Sequence, residues 1–260
     1  MIIGLAPAAL TLFFGHGLPL RNIAISALIA ALFALFAWLL RGVSLSGALA
    51  GFGIAFTLFA ADGWPTFALL VFVFLVTLAA TRAGPARKAE RRLAEPHGGR
   101  TAAQVVANVG LAAYLVALLS RADWVAAFVL YACAVAVLAE AAADTCASEI
   151  GKAYAEKTFL ITTRRPVPPG TDGGVSRWGV GAAAGAAGAT AAVAYALDTL
   201  ALRPALAVAL AATLATFIDS VLGATLERRG WLNNDAVNFL STTAAVVLTA
   251  VTLLVLYLLV

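Results

Sequence analysis

Uninterrupted apolar runs recur along this chain from one end to the other. Each is about 18 to 23 residues long, and a helix needs roughly 20 apolar residues to cross the hydrocarbon core of a bilayer. Few folds survive that repetition. A membrane-spanning segment must satisfy its own backbone polar groups, so it is either a helix or a strand of a closed barrel. Barrel strands alternate every second residue over about ten, and these runs of Ala, Leu and Val do not. The sequence therefore predicts an all-α fold, a polytopic transmembrane helical bundle of about eight or nine membrane segments with polar loops on the cytoplasmic side. Spans are expected near 2–14, 22–40, 43–61, 64–81, 102–120, 124–143, 178–197, 202–222 and 238–260. The first is short enough to be re-entrant. It lacks a basic n-region and a clean cleavage signal, so it does not read as a removed signal peptide. The domain reading is residues 1–81 as N-terminal transmembrane segments, 82–101 as a basic loop, and 102–260 as a catalytic core carrying the loops 144–177 and 223–237.

If the connections alternate sides, the basic residues divide very unequally. One side takes Arg41, Arg82, Arg87, Lys88, Arg91, Arg92, Arg100, Lys152, Lys157, Arg164, Arg165, Arg177, Arg228 and Arg229, and the other takes Arg21, Arg121 and Arg203. By the positive-inside rule the first side faces the cytoplasm, and the expected location is the cell membrane with the site on the cytoplasmic face. The net charge of +4 then reflects topology. A nucleic-acid partner is not expected, because the basic residues adjoin membrane spans and are not interleaved with exposed aromatics. Cys133 and Cys146 have no framework or knuckle spacing and read as packing residues. With His16 and His97 as the sole imidazoles, a multi-histidine centre is excluded, so a metal here must be a hard, oxygen-liganded ion.

The long connections 82–101, 144–177 and 223–237 all fall on one face, and the polar chemistry gathers there. In AEAAADTCASEIGK, residues Glu140, Asp144, Ser148 and Gly151 share a helical face while Glu149 lies around the cylinder. Carboxylates at the end of a span need water, cations or a metal, and the plainer alternative is a solvated helix end terminated at Asp144. In RPVPPGTDGGVS, prolines hold the chain extended, and Gly170, Gly173 and Gly174 allow a ligand close to the backbone. Thr171, Asp172 and Ser176 supply oxygens and caps ahead of a helix expected near Val175. A Gly-rich turn leading into a helix N-terminus favours phosphate, with Lys157, Arg164 and Arg165 as cations; a simple connecting turn is the alternative. Arg100, Gln104 and Asn108 place a guanidinium and two amides on one helical face, for substrate or for helix-to-helix hydrogen bonds. Asp219, Gly223 and Glu227 share another face with Ser220 beside it, ahead of Asn233, Asn234 and Asp235, with Asp235 a candidate N-cap. Asp144 and Asp219 each begin a polar motif at the end of a span and are expected to share a divalent cation, with Glu149 and Glu227 in reserve. Two further stretches read as structural: Gly181 and Gly185 as small-residue helix packing, and RKAERR, 87–92, as a topology and headgroup contact.

Four stretches taken together, GGRTAAQVVAN, ADTCASEIG, ITTRRPVPPGTDGGVS and DSVLGATLE with NNDAVNFLST, resemble one known family over roughly residues 98–245. It is the integral membrane family that contains the plant phytyl-phosphate kinase of tocopherol synthesis and the animal transmembrane protein 19. DT-x-A-S-E-x-G followed by a Pro/Gly/Thr loop is more distantly similar to CTP-dependent dolichol and phytol kinases. The N-terminal spans match as a hydrophobic pattern alone, and Cys146 stands where family members commonly have Trp. The resemblance implies transfer of phosphate from a nucleoside triphosphate, CTP in the plant enzymes, to a prenyl monophosphate. A phosphomonoester is largely a dianion at neutral pH and needs no strong base, so Mg²⁺, arginine and backbone N–H groups suffice to counter charge repulsion. On that reading Asp144, Glu149, Asp219 and Arg165 are catalytic, with Asp144 and Asp219 on the metal. Lys157, Arg164, Arg165, Gly170, Thr171, Asp172, Gly173, Gly174 and Ser176 bind the triphosphate, and Arg100, Gln104, Asn108, Ser148, Asn234 and Asn238 bind the acceptor. The competing readings are a cytidylyltransferase that makes a CDP-activated lipid, and a transporter. A transporter would place its polar groups at the bilayer midplane on two related halves.

Overall fold

The structure is a computed structural model and describes residues 19–93 and 98–259. The expected span at 2–14, His16 and His97 lie outside the described residues. Within them eight helices are long and apolar enough to cross a membrane. They are α1 (Leu20–Leu39), α2 (Leu45–Asp62), α3 (Trp64–Arg82), α5 (Ala102–Arg121), α6 (Trp124–Tyr154), α7 (Arg177–Ala196), α8 (Leu202–Glu227) and α9 (Asn234–Leu258). The short helix α4, Pro85–Glu90, follows α3.

The predicted ends differ in ways that matter for the site. The span expected to stop at residue 143 continues as unbroken helix to Tyr154, so the first eleven residues assigned to the 144–177 loop are helical. Polarity rises at Asp144, yet Asp144–Tyr154 contains no proline, and hydropathy marks an exit from the bilayer without marking the end of a helix. At 31 residues and about 1.5 Å each, α6 is roughly 46 Å long, against a hydrocarbon core of about 30 Å. α8 likewise runs on through a π-turn at Gly223–Glu227. α9 begins at Asn234 with Asn233 as its cap, donated to by the Ala236 N–H at 2.9 Å, so Asp235 is a first-turn residue and not the N-cap.

α6 is the axis of the bundle. Every residue from Tyr131 to Ala143 is buried, and α3, α5, α7, α8 and α9 pack around it. A helix apolar on all sides belongs in a core, and alanines let neighbouring backbones approach closely where lipid supplies no hydrophobic drive. α7 meets it with Gly179, Ala183, Ala187, Ala191 and Ala194, all buried. A Cβ at Gly179 would stand 2.9 Å from the Ala147 carbonyl oxygen. The expected packing glycines are on the other face: Gly181 and Gly185 are exposed, with nothing near a would-be Cβ.

The connection after α6 is not wholly extended loop but a small antiparallel sheet of order β2-β1-β3, formed by β1 (Thr158–Leu160), β2 (Pro166–Val167) and β3 (Gly174–Val175). Phe159 pairs with both Pro166 and Val175. Proline is accommodated because β2 is an edge strand. With eight alternating helices, the turns 40–44, 83–101, 155–176 and 228–233 share one end of the bundle. Cysteines placed at Glu90 and Thr163 will therefore react with an impermeant maleimide from the same side, and one at Ala201 from the opposite side; labelling of Glu90→Cys and Ala201→Cys together would contradict this topology.

Candidate functional site

One polar cavity of about 310 Å³ opens at that shared end of the bundle. Five helices and the sheet loop build it, and it gathers residues that the sequence left in separate motifs. From α6 come Asp144, Ser148 and Glu149, and from α5 and the turn before it come Arg100, Gln104 and Asn108. The loop contributes Gly170, Thr171, Asp172, Gly173, Gly174 and Ser176, while α8 and α9 contribute Asp219, Asn234 and Asn238. Lys157, Arg164 and Arg165 are not in the lining. All are exposed, the two arginines on the reversal between β1 and β2, where the Arg164 N–H bonds the Leu160 carbonyl at 2.8 Å. A plain count of nearby cations suggested them; the hairpin takes them to the surface and leaves residues 170–176 to face the cavity.

Arg100 is held by backbone before its side chain does anything. Its N–H bonds the Gly42 carbonyl at 3.1 Å and its carbonyl accepts from the Ser44 N–H at 3.0 Å, closing a parallel bridge to Val43. Gly47 makes room for that clamp, since a Cβ there would lie 2.0 Å from the Arg100 carbonyl oxygen. The guanidinium donates to the hydroxyls of Thr77 at 3.3 Å and Thr145 at 3.2 Å, on α3 and α6. Gln104 serves partly as a helix cap: its carbonyl oxygen accepts from the Thr101 N–H at 2.9 Å, in a reciprocal capping box. Asn108 donates to the Gln104 backbone carbonyl at 2.8 Å from within a π-turn, Val106–Gly110. The second π-turn carries Gly223 and Glu227 on the opposite wall. Such bulges re-aim side chains and recur at functional sites.

The carboxylates have divided roles. Glu149 is 2% exposed and is held between Lys88, at 2.5 Å, and Lys152, at 2.8 Å. Lys88 is itself 3% exposed and donates further to the carbonyls of Ala80 and Thr81. The charge run at 87–92 is thus more than a headgroup contact. It bolts α4 to α6, with the Arg91 guanidinium on the Lys152 carbonyl at 2.9 Å and the Arg87 guanidinium 5.1 Å from the Tyr154 ring centre. Glu140, on the expected polar face, is instead buried and accepts from the Ser241 hydroxyl at 2.6 Å. That leaves Asp144 and Asp219, which line the same cavity from α6 and α8. Asp219 Oδ2 is buried and has no hydrogen-bond partner among the described residues.

Among the described residues no three His, Cys, Asp or Glu side chains gather into a metal cage. Two carboxylates with open positions are nonetheless what Mg²⁺ uses when substrate phosphates complete its shell, and the orphaned Asp219 oxygen fits such an ion. The glycines of the loop, expected to admit a ligand to the backbone, also serve packing. Gly173, at φ +73°, lies against α8, where a Cβ would meet the Ala224 Cβ at 2.4 Å and the Ser220 carbonyl at 2.5 Å. Ser176 caps α7, accepting from the Gly179 N–H at 3.1 Å, so that helix starts at Arg177, two residues later than expected. Thr145, Lys152, Thr216 and Ser220 also line the cavity. Thr216 was legible as the residue one turn before Ser220 on the same helix face; Lys88 was not, because a basic run reads as solvated.

The chain matches the family described as Integral membrane protein DUF92 over residues 28–246. It is 37% identical over 200 residues to the uncharacterized membrane protein sll0875 of Synechocystis sp., covering 74% of this chain and 77% of that one. It is 32% identical over 209 residues to the chloroplastic protein VTE6 of Arabidopsis thaliana, covering 78% and 63% respectively. The protein PGR of the same plant is 30% identical over 244 residues, 82% of each chain. No solved structure matches it.

Two stability outcomes follow from this geometry. Lys88→Ala leaves Glu149 buried with Lys152 alone, and thermal unfolding in detergent will show a loss of about 3 kcal/mol, the usual cost of breaking a buried pair; an unchanged midpoint would mean the bridge contributes nothing. Gly173→Ala will destabilise by roughly 1–3 kcal/mol through overpacking and a positive φ, whereas Gly181→Ala, with open space around it, will be neutral or slightly stabilising. Equal midpoints for the two alanine variants would refute the packing role of Gly173.

Proposed function

This chain belongs to the DUF92 family of integral membrane proteins, and from that premise we propose that it is a membrane-embedded prenyl-phosphate kinase. It would transfer the γ-phosphate of a nucleoside triphosphate, CTP by the resemblance, to a polyprenyl, phytyl or geranylgeranyl monophosphate at the cytoplasmic membrane surface. The observation that carries the reading is one cavity at the end of the bundle that combines Asp144, Asp219, Arg100 and a Gly-rich turn. The family includes the plant phytyl-phosphate kinase, which supports it.

The chemistry asks little of the protein beyond charge and position. An oxygen of the acceptor's phosphate bonds to the γ-phosphorus as the bond to the bridging oxygen breaks, and the nucleoside diphosphate leaves with the electron pair. Asp144 and Asp219 would hold Mg²⁺, whose chemistry is neutralisation of charge on the phosphate oxygens. Arg100, fixed by its backbone clamp, brings a guanidinium to the acceptor's phosphate. The turn 170–174 and the capped start of α7 offer backbone N–H groups to the triphosphate. Ser148, Asn234 and Asn238 supply neutral hydrogen bonds in the same cavity. Glu149 keeps Lys152 beside them and, being doubly paired, serves position and not proton transfer. The polar residues sit at one end of the bundle, which favours surface chemistry over a midplane transport site.

The test is transfer of labelled γ-phosphate from CTP to geranylgeranyl monophosphate by purified protein with Mg²⁺. Asp144→Asn and Asp219→Asn are each expected to lose turnover on the order of 10²-fold or more, and Arg100→Ala similarly. Arg165→Ala is expected to fall within a few-fold of the parent, because Arg165 is not part of the cavity lining. A parent protein that releases pyrophosphate in place of a nucleoside diphosphate would replace the kinase with a cytidylyltransferase. Wild-type rates in both aspartate variants would remove the metal assignment.

A further inference from the structure

A second, smaller cavity of about 70 Å³ lies between α1, α2, α3 and α5, walled by Phe33, Ile54, Leu70, Phe74 and Val109. Its lining is almost entirely apolar, and Arg100, Gln104 and Asn108 belong to both cavities. The Arg100 guanidinium marks the junction, since one of its partners, Thr77, lines the slot and another, Thr145, lines the polar cavity. A cation at the boundary of a polar chamber and an apolar slot matches an amphiphile with an anionic head and a hydrocarbon chain. We propose that this slot receives the apolar chain of the lipid acceptor directly behind its phosphate, and that Gly51 keeps the slot open. The assignment of that chain as prenyl rests on the kinase reading above.

Gly51 lies mid-helix in α2, where glycine is unfavourable, and it lines the slot with nothing within 4 Å of a would-be Cβ. It stands one turn beyond Gly47, whose own missing side chain admits the Arg100 carbonyl. Four residues rise about 6 Å along a helix, comparable to one isoprene unit, so a side chain at residue 51 obstructs the tail beyond its first unit and leaves the head alone. The slot is far smaller than the roughly 300 Å³ or more that a whole ligand occupies. It therefore grips the segment next to the phosphate, and the remainder of the tail lies against lipid.

Gly51→Phe and Gly51→Leu, with Gly53→Phe as the control on the exposed face of the same helix, separate the alternatives. The full chain in detergent is titrated with geranylgeranyl monophosphate and with dimethylallyl monophosphate, binding is read by native mass spectrometry, and γ-phosphate transfer is measured alongside. Both Gly51 variants are expected to lose about tenfold or more in affinity for the long acceptor, the cost of misfitting a few methylenes. The short one should stay within about twofold, and Gly53→Phe should change neither. Unchanged affinity for the long acceptor would overturn the proposal. Equal loss for both acceptors would also overturn it, marking the slot as the seat of a bilayer lipid or a support for Arg100. If the parent binds the long acceptor but transfers no phosphate, the kinase reading fails by itself, and the tail-length contrast in binding still decides the slot.

Discussion

The structure depends on a helix that has no lipid-facing side for much of its length. From Tyr131 to Ala143 every residue of α6 is buried, and only small side chains allow so many helices to crowd one axis. Lipid competes with leucine on equal terms, so close backbone approach and dispersion replace the hydrophobic effect as the source of cohesion. Burial on all sides also fixes the rotation of α6. Its C-terminal extension, free of the bilayer, then points Asp144, Ser148 and Gly151 in one defined direction. The cavity exists because five helix ends are held in register around that extension.

Around this axis the cavity is assembled from backbone geometry as much as from side chains. Arg100 is positioned by a two-bond clamp to the turn before α2, and the glycine-rich loop is seated by Gly173 on the π-turn of α8. Both π-turns lie in cavity walls. The protein has thus placed its irregular backbone where side chains must converge from different helices. One carboxylate, Glu149, is spent on holding lysines, while Asp144 and Asp219 line the cavity and Asp219 keeps a buried oxygen with no hydrogen bond among the described residues.

Much of this was legible in the chain. Span positions follow from hydropathy because a bilayer demands a minimum apolar length of every spanning helix, and sorting the loops by side put the long connections 82–101, 144–177 and 223–237 at one end. What was not legible has a common cause. Hydropathy reports where polarity begins, so it cut α6 at Asp144, although nothing in the next ten residues breaks a helix. A run of charges looks solvated, and only the fold reveals that Lys88 turns inward while Arg164 and Arg165 turn out. The glycines at 181 and 185 had the right spacing for packing but sit on the outward face of α7, which Gly179 and its alanine neighbours turn toward α6. Periodicity identifies faces; it does not say which face meets which neighbour.

The bridge between Lys88 and Glu149 joins residues 61 positions apart, and that separation bears on how the chain is made. Lys88 leaves the ribosome two spans ahead of its partner. Until α6 has been threaded and turned, the ammonium has no carboxylate and belongs in water or among lipid headgroups. The pair can close only once the end of α6 is in place, so it belongs to the last contacts this part of the fold can make. A chain in which α6 enters with the wrong rotation leaves Lys88 unmatched and Glu149 with Lys152 alone.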